Sequence, residues 1–269
     1  MGLKGLALVE GAKLIGGRWV TLLKVSCILF LLFAIILFYS KWVPDNRGGV
    51  SSTSNVDFSR AAIIDGIGFT RPNPPFIKGV REVLEGAGLR VDIYEGKNVT
   101  IDLLRRIGGY GLLILRLHSA IDSKYGFLYL FSAERFSETE YEARFGEERR
   151  TGAVREGITF EGEAYFTLRA DLLGYMNQGG LNGSIIILMG CNGTNSEHAM
   201  SRLFERGVKA IIAWDGYVDL NHTDEITLKL IEAIYKKGLS LEEAVNKIMD
   251  EYGPDPTYRS KLKYLTKPG

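Results

Sequence analysis

The chain has 269 residues, 46% of them hydrophobic and 24% charged, with a formal net charge of +1. Once an apolar N-terminal run is set aside, enough remains for one sizeable α/β domain with its own core. Basic residues are scattered among acidic ones, which argues against nucleic acid as a partner, because such proteins carry a clustered basic face.

In chain order, residues 1–18 read as a cytoplasmic tail and residues 19–43 as a transmembrane anchor. Val25–Tyr39 (VSCILFLLFAIILFY) is apolar throughout, and with its flanks is long enough for a helix to cross a hydrocarbon layer of about 30 Å. Trp19, Tyr39 and Trp42 stand where an aromatic belt would place them. Lys4, Lys13, Arg18 and Lys24 precede the core, so the expected orientation puts the C-terminal domain outside the cell membrane. No small-residue cleavage site follows Tyr39, which favours an uncleaved anchor over a signal peptide. Residues 44–58, rich in Gly, Ser and Asn, read as a flexible linker. The sequons at Asn98, Asn182, Asn192 and Asn221 suit an external domain but carry little weight, being common by chance.

Residues 59–269 form the expected soluble domain. Ala61–Asp65 is a short buried strand, and Gly66–Pro75 is too rich in Gly and Pro for regular structure. Phe76–Glu85 has helical spacing, Leu89–Tyr94 alternates as a strand does, and Thr100 caps a helix over Ile101–Ile107. Gly111–Leu117 (GLLILRL) is a third strand. Tyr125–Ser132 and Ile158–Thr167 read as the strands of a hairpin, separated by a charged, flexible stretch. A helix is expected over Asp171–Met176, then the most apolar strand, Ser184–Met189 (SIIILM). The helix Ser196–Arg206, the strand Val208–Trp214, helices over Asp224–Lys236 and Leu241–Tyr252, and an edge strand Lys261–Thr266 complete the order. Ser240 and Glu243 form a capping box. Strands alternating with helices predict a three-layer α/β sandwich around a mostly parallel sheet.

In such sheets ligands bind beyond the carboxyl ends of the strands, which singles out Asp65, His118, Cys191 and Asp215. His118 follows GLLILRL and Cys191 follows SIIILMG, so parallel neighbouring strands would bring both to one edge. An imidazole and a helix N-terminus can together give a thiol nucleophilic character. Singly, each residue is more economically read as structural: a packed histidine and a buried small hydrophobe. Their matching positions favour chemistry. Cys27 lies in the apolar run, so the domain has one thiol and no disulfide framework. With three histidines at no ligand spacing, no metal and no cofactor is expected.

Order and local sequence resemble the caspase–gingipain–legumain clan of cysteine peptidases, its CHAT branch most of all. The matching segments are LLILRLHSA (Leu112–Ala120), SIIILMGCNG (Ser184–Gly193), GVKAIIAWDGYVD (Gly207–Asp219) and LKLIEAIYKKGLSLEEAVNKI (Leu228–Ile248). The resemblance implies a membrane-anchored cysteine endopeptidase acting on protein or peptide substrates, with Cys191 as nucleophile and His118 as general base. It further implies an oxyanion hole from the amide of Cys191 and that of Ser119 or Ala120. Ser119 replaces the glycine usual after the clan's histidine. Substrate contacts would fall near Asp65, Trp214 and Asp215, and carboxylates there would favour cleavage after Arg or Lys. Self-cleavage near Arg149–Arg150 is also implied.

Two rival readings are open to the same residues. A cysteine-elbow amidotransferase would need His198 or His222 as partner and a glycine where Met189 stands. A non-catalytic extracytoplasmic binding module could keep the same fold. A dinucleotide site is disfavoured because Arg71 stands where a third glycine belongs.

Overall fold

The computed structural model describes residues 57–267. The expected tail and anchor, and all but the end of the linker, lie outside the described residues. Among the described residues no helix is long and apolar enough to cross a membrane.

The order is β1 (Asp57–Asp65), α1 (Pro74–Gly86), β2 (Arg90–Glu95), α2 (Ile101–Arg106), β3 (Tyr110–Arg116), β4 (Ser119–Ile121) and β5 (Leu128–Arg135). Then come α3 (Glu138–Arg144), α4 (Gly146–Thr151), β6 (Val154–Ile158), β7 (Ala164–Arg169), β8 (Ile185–Leu188), α5 (Glu197–Glu205) and β9 (Ala210–Trp214). The chain closes with α6 (Leu220–Tyr235), α7 (Leu241–Tyr252) and β10 (Leu262–Thr266).

The main sheet has six strands in the order β10-β9-β8-β3-β1-β2. All its pairs are parallel except β9 with β10. β3 is buried along its whole length because both faces of the sheet are covered. One face, with Ala61, Ile63, Leu112, Ile114, Ile187 and Ile212, packs on α1, α6 and α7. The other, with Ala62, Ile64, Leu113, Leu115, Ile186 and Leu188, packs on α2, α5 and a second sheet. This is the mixed α/β, three-layer arrangement with a mostly parallel sheet. Each fully buried Leu or Ile contributes about 1.5–3 kcal/mol.

The helix ends follow their caps. Asn73 accepts from the Phe76 amide ahead of two prolines at the start of α1. Thr100, Ser196 and Asp219 cap α2, α5 and α6, and the Ser240–Glu243 box opens α7.

A second, antiparallel sheet has the order β4-β5-β7-β6, and three expectations for the region from β5 to β8 are corrected. Ile158–Thr167 is not one strand: β6 ends and β7 begins inside it, joined by a turn in which Thr159 N donates to Glu163 O at 2.9 Å. The charged stretch is ordered as α3 and α4, pinned by the fully buried Phe145 and by ion pairs such as Arg144–Glu134 at 2.7 Å. The Arg149–Arg150 bond is therefore inside a helix, whereas a peptidase needs extended chain. Asp171–Met176 holds only a 3₁₀ turn, Ala170–Leu172.

Candidate active site

The register of β3 with β8 pairs Leu115 with Leu188 as its last position. His118 and Cys191 each stand three residues beyond that pair, so both emerge from one edge at equal height on neighbouring strands. Two contacts hold the emerging segments together. Met189 N donates to Leu115 O at 3.0 Å, and the Ser119 hydroxyl donates to the carbonyl of Cys191 at 2.6 Å. Gly190 is required here. A Cβ would press on the Ser119 hydroxyl and come within 2.5 Å of the Leu117 carbonyl.

His118 is half-buried beneath the second sheet. Its carbonyl accepts from Phe131 N at 2.9 Å, and its ring meets the edge of Phe131 with centroids 6.0 Å apart. The imidazole lines a cavity of about 120 Å³ with Thr70, Arg71, Phe131, Glu161 and Tyr165. Burial pulls its pKa below the ordinary value. Glu161 opposes that shift, while Arg116 and Arg71 add to it.

Cys191 is also half-buried, with the Val218 backbone and Asp255 among the groups around its thiol. Burial pushes the thiol pKa up, the Val218 amide draws it down, and Asp255 raises it. No hydrogen bond joins thiol and imidazole among the described residues.

The amides of Asn192 and Thr194 hold the following loop to β9, donating to Gly216 O at 2.7 Å and Trp214 O at 3.1 Å. Asn192 takes a left-handed conformation, φ 58°, to make that turn. These two amides are thus engaged and do not serve the sulfur. Of the two candidate amides after His118, the Phe131 N to His118 O bond makes Ser119–Leu130 a non-hydrogen-bonded pair, so Ser119 N points away from β5. Ala120 N belongs to the β4–β5 ladder, which leaves Ser119 as the available donor.

The expected substrate contacts divide. Asp65 is 1% exposed and is not a surface group. Its carboxylate accepts from Gly68 N at 2.6 Å and from Arg116 at 2.7 Å. Arg116 forks onto Asp224 at 2.8 and 2.9 Å, and Asp224 accepts from Asn73 at 2.8 Å. The guanidinium that Asp65 binds is therefore the chain's own, carried by the neighbouring strand. Trp214 is likewise fully buried, its indole N–H donating to Thr223 at 2.9 Å. Asp215 is half-buried. It accepts from Lys261 N at 2.6 Å, with Lys263 3.5 Å away.

His198 faces Asp171 at 3.5 Å and Phe127, whereas His222 stacks beside Trp214 with its Nε2 buried and without a partner. Among the described residues no group of three or more His, Cys, Asp or Glu stands together as a metal site. Sequence reasoning missed Arg71 and Glu161, which reach the imidazole cavity from a Pro-rich loop and a turn that carry no periodic signal.

Fold and rim together define an α/β protein with a histidine and a cysteine at adjacent parallel strand ends. Neither a scan against models of known protein families nor a search of curated proteins returns a match.

Proposed function

We propose that residues 59–269 adopt a caspase-like fold and act as a cysteine endopeptidase, anchored at a cell membrane by the segment before them and facing outward. The observation that supports this most is the β3–β8 register, which carries His118 and Cys191 to the same height on one rim. The strand order, with only the last strand reversed, is compatible with such a fold.

In this reading the thiol attacks the substrate carbonyl as its proton passes to neutral His118, and the oxyanion is met by the amides of Ser119 and Cys191. His118 returns the proton to the leaving amine. It then draws a proton from the water that hydrolyses the thioester. Burial lowers the imidazole and raises the thiol, so proton transfer accompanies attack rather than preceding it. With Asp65 held by Arg116, a preference for Arg or Lys rests on Asp215 and on Glu161 beside the imidazole.

A panel of fluorogenic peptides tests the proposal. The expected result is hydrolysis by the full-length protein that is lost in both Cys191→Ala and His118→Ala. Hydrolysis that survives either change refutes it, and a preference for acidic residues refutes the specificity.

One observation favours a second reading, a non-catalytic binding module. The thiol and imidazole share no hydrogen bond among the described residues, and burial pushes the Cys191 thiol up, toward its protonated form. A Cys191 that resists small electrophiles at neutral pH would support the module.

A further inference from the structure

The tip of the β6–β7 hairpin, Thr159–Glu163, is built on its own hydrogen bonds: Thr159 N to Glu163 O and Gly162 N to Thr159 O, both 2.9 Å. Two side chains at this tip reach in different directions. Glu161 pairs with Arg71, in the loop after β1, at 3.3 Å. Phe160, 82% exposed, packs on Tyr217, in the loop after β9, with ring centroids 5.6 Å apart.

In the main sheet β3 and β8 lie between β1 and β9. A tip that touches the loops of β1 and β9 at once must span about 14 Å, three strand spacings. It therefore crosses the line of β3 and β8, and its Thr159, Glu161 and Glu163 line one cavity with His118. Both contacts lie near the two groups: Arg71 and Glu161 line the His118 cavity, and Tyr217 follows Gly216, whose carbonyl accepts from Asn192 N, next to Cys191, at 2.7 Å. The space beside His118 under the tip, about 120 Å³, is smaller than the ~300 Å³ at which ordinary ligand sites begin. A peptide does not enter it while the tip is down.

The geometry points to the β6–β7 hairpin tip being a removable strap across the His118–Cys191 rim, latched by the Phe160–Tyr217 and Arg71–Glu161 contacts. The Tyr217 side of the latch is fixed, since the Tyr217 carbonyl accepts from Ser260 at 2.5 Å and that ring also meets Tyr258. The Phe160 side is free to lift. One exposed ion pair and one aromatic contact are weak enough to open in solution. This inference goes beyond peptide hydrolysis, because it concerns access to the thiol alone.

It is tested by the rate at which a bulky maleimide labels Cys191 in the full-length protein carrying Cys27→Ser. Phe160→Ala and Tyr217→Ala are each expected to raise that rate about two- to tenfold, the size of one aromatic contact. The double variant should gain no more than the faster single. Tyr252→Ala, an exposed ring on α7, is the control and should label at the parent rate. A parent rate in either latch variant, or an equal rise in Tyr252→Ala, overturns the strap. Neither result bears on whether the protein cuts peptides.

Discussion

The carboxyl edge of the main sheet has two halves that treat their polar groups in opposite ways. At the ends of β1 and β3, Asp65, Arg116 and Asp224 are buried and satisfy one another through three close contacts, with Gly68 N and Asn73 completing the set. At the ends of β3 and β8, His118 and Cys191 sit half-buried without a hydrogen bond between them. The lesson is one of saturation. Burying charge is costly, so groups that exhaust each other's bonding capacity hold the fold in one arrangement. Groups left short of partners keep bonding capacity for something else.

The largest expected effect is on the saturated half. Arg116→Met strands two carboxylates in the interior and should cost about 3–5 kcal/mol in urea unfolding. Replacing all three charges by apolar residues of similar size should recover much of that loss, because no charge is then stranded. A small cost for Arg116→Met alone would break the contrast between the halves.

Gly190→Ala comes next. Its methyl meets the Leu117 carbonyl and the Ser119 hydroxyl, and prising the two segments apart should cost about 1–3 kcal/mol. Ser119→Ala removes one hydrogen bond to the Cys191 carbonyl and should cost about 1 kcal/mol. If peptides are hydrolysed, both changes should lower kcat more than they raise KM, since they shift the reacting groups rather than the substrate.

The smallest effect is on pH dependence. His118 has a folded pKa below its unfolded value near 6.5, so the unfolded chain binds the proton more readily. Stability should therefore fall as the pH drops from about 6.5 through the lower folded value, and be fully present above 6.5. His118→Ala should flatten that slope in denaturation midpoints measured from pH 7 to 5. An unchanged slope would place the acid sensitivity elsewhere.

The placing of His118 and Cys191 at strand ends was readable from sequence, and the saturated half was not. GLLILRL and SIIILM announce buried strands, and the residues that end them are fixed by counting. α7 was legible to the residue, because Ser240 and Glu243 mark its start. Asp65, by contrast, looks like a free strand-end carboxylate until Arg116 and Asp224, a helix residue far along the chain, are seen to meet it. Such pairing leaves no local pattern. α3 and α4 were hidden for another reason. Elements of six or seven residues complete fewer than two turns, and their order depends on Phe145 entering a core formed by distant strands. The break between β6 and β7 was masked by Ile158 and Phe160, two exposed apolar residues that imitate a continuing strand.

The account depends on His118 and Cys191 acting as a pair. The most direct measurement is the pH dependence of Cys191 alkylation by iodoacetamide, in the Cys27→Ser protein with and without His118→Ala. The account predicts that the intact site labels with a component near neutral pH, where the imidazole can accept the thiol proton, and that His118→Ala loses it and labels only as the pH approaches the raised thiol value. Identical profiles with and without the imidazole would contradict it.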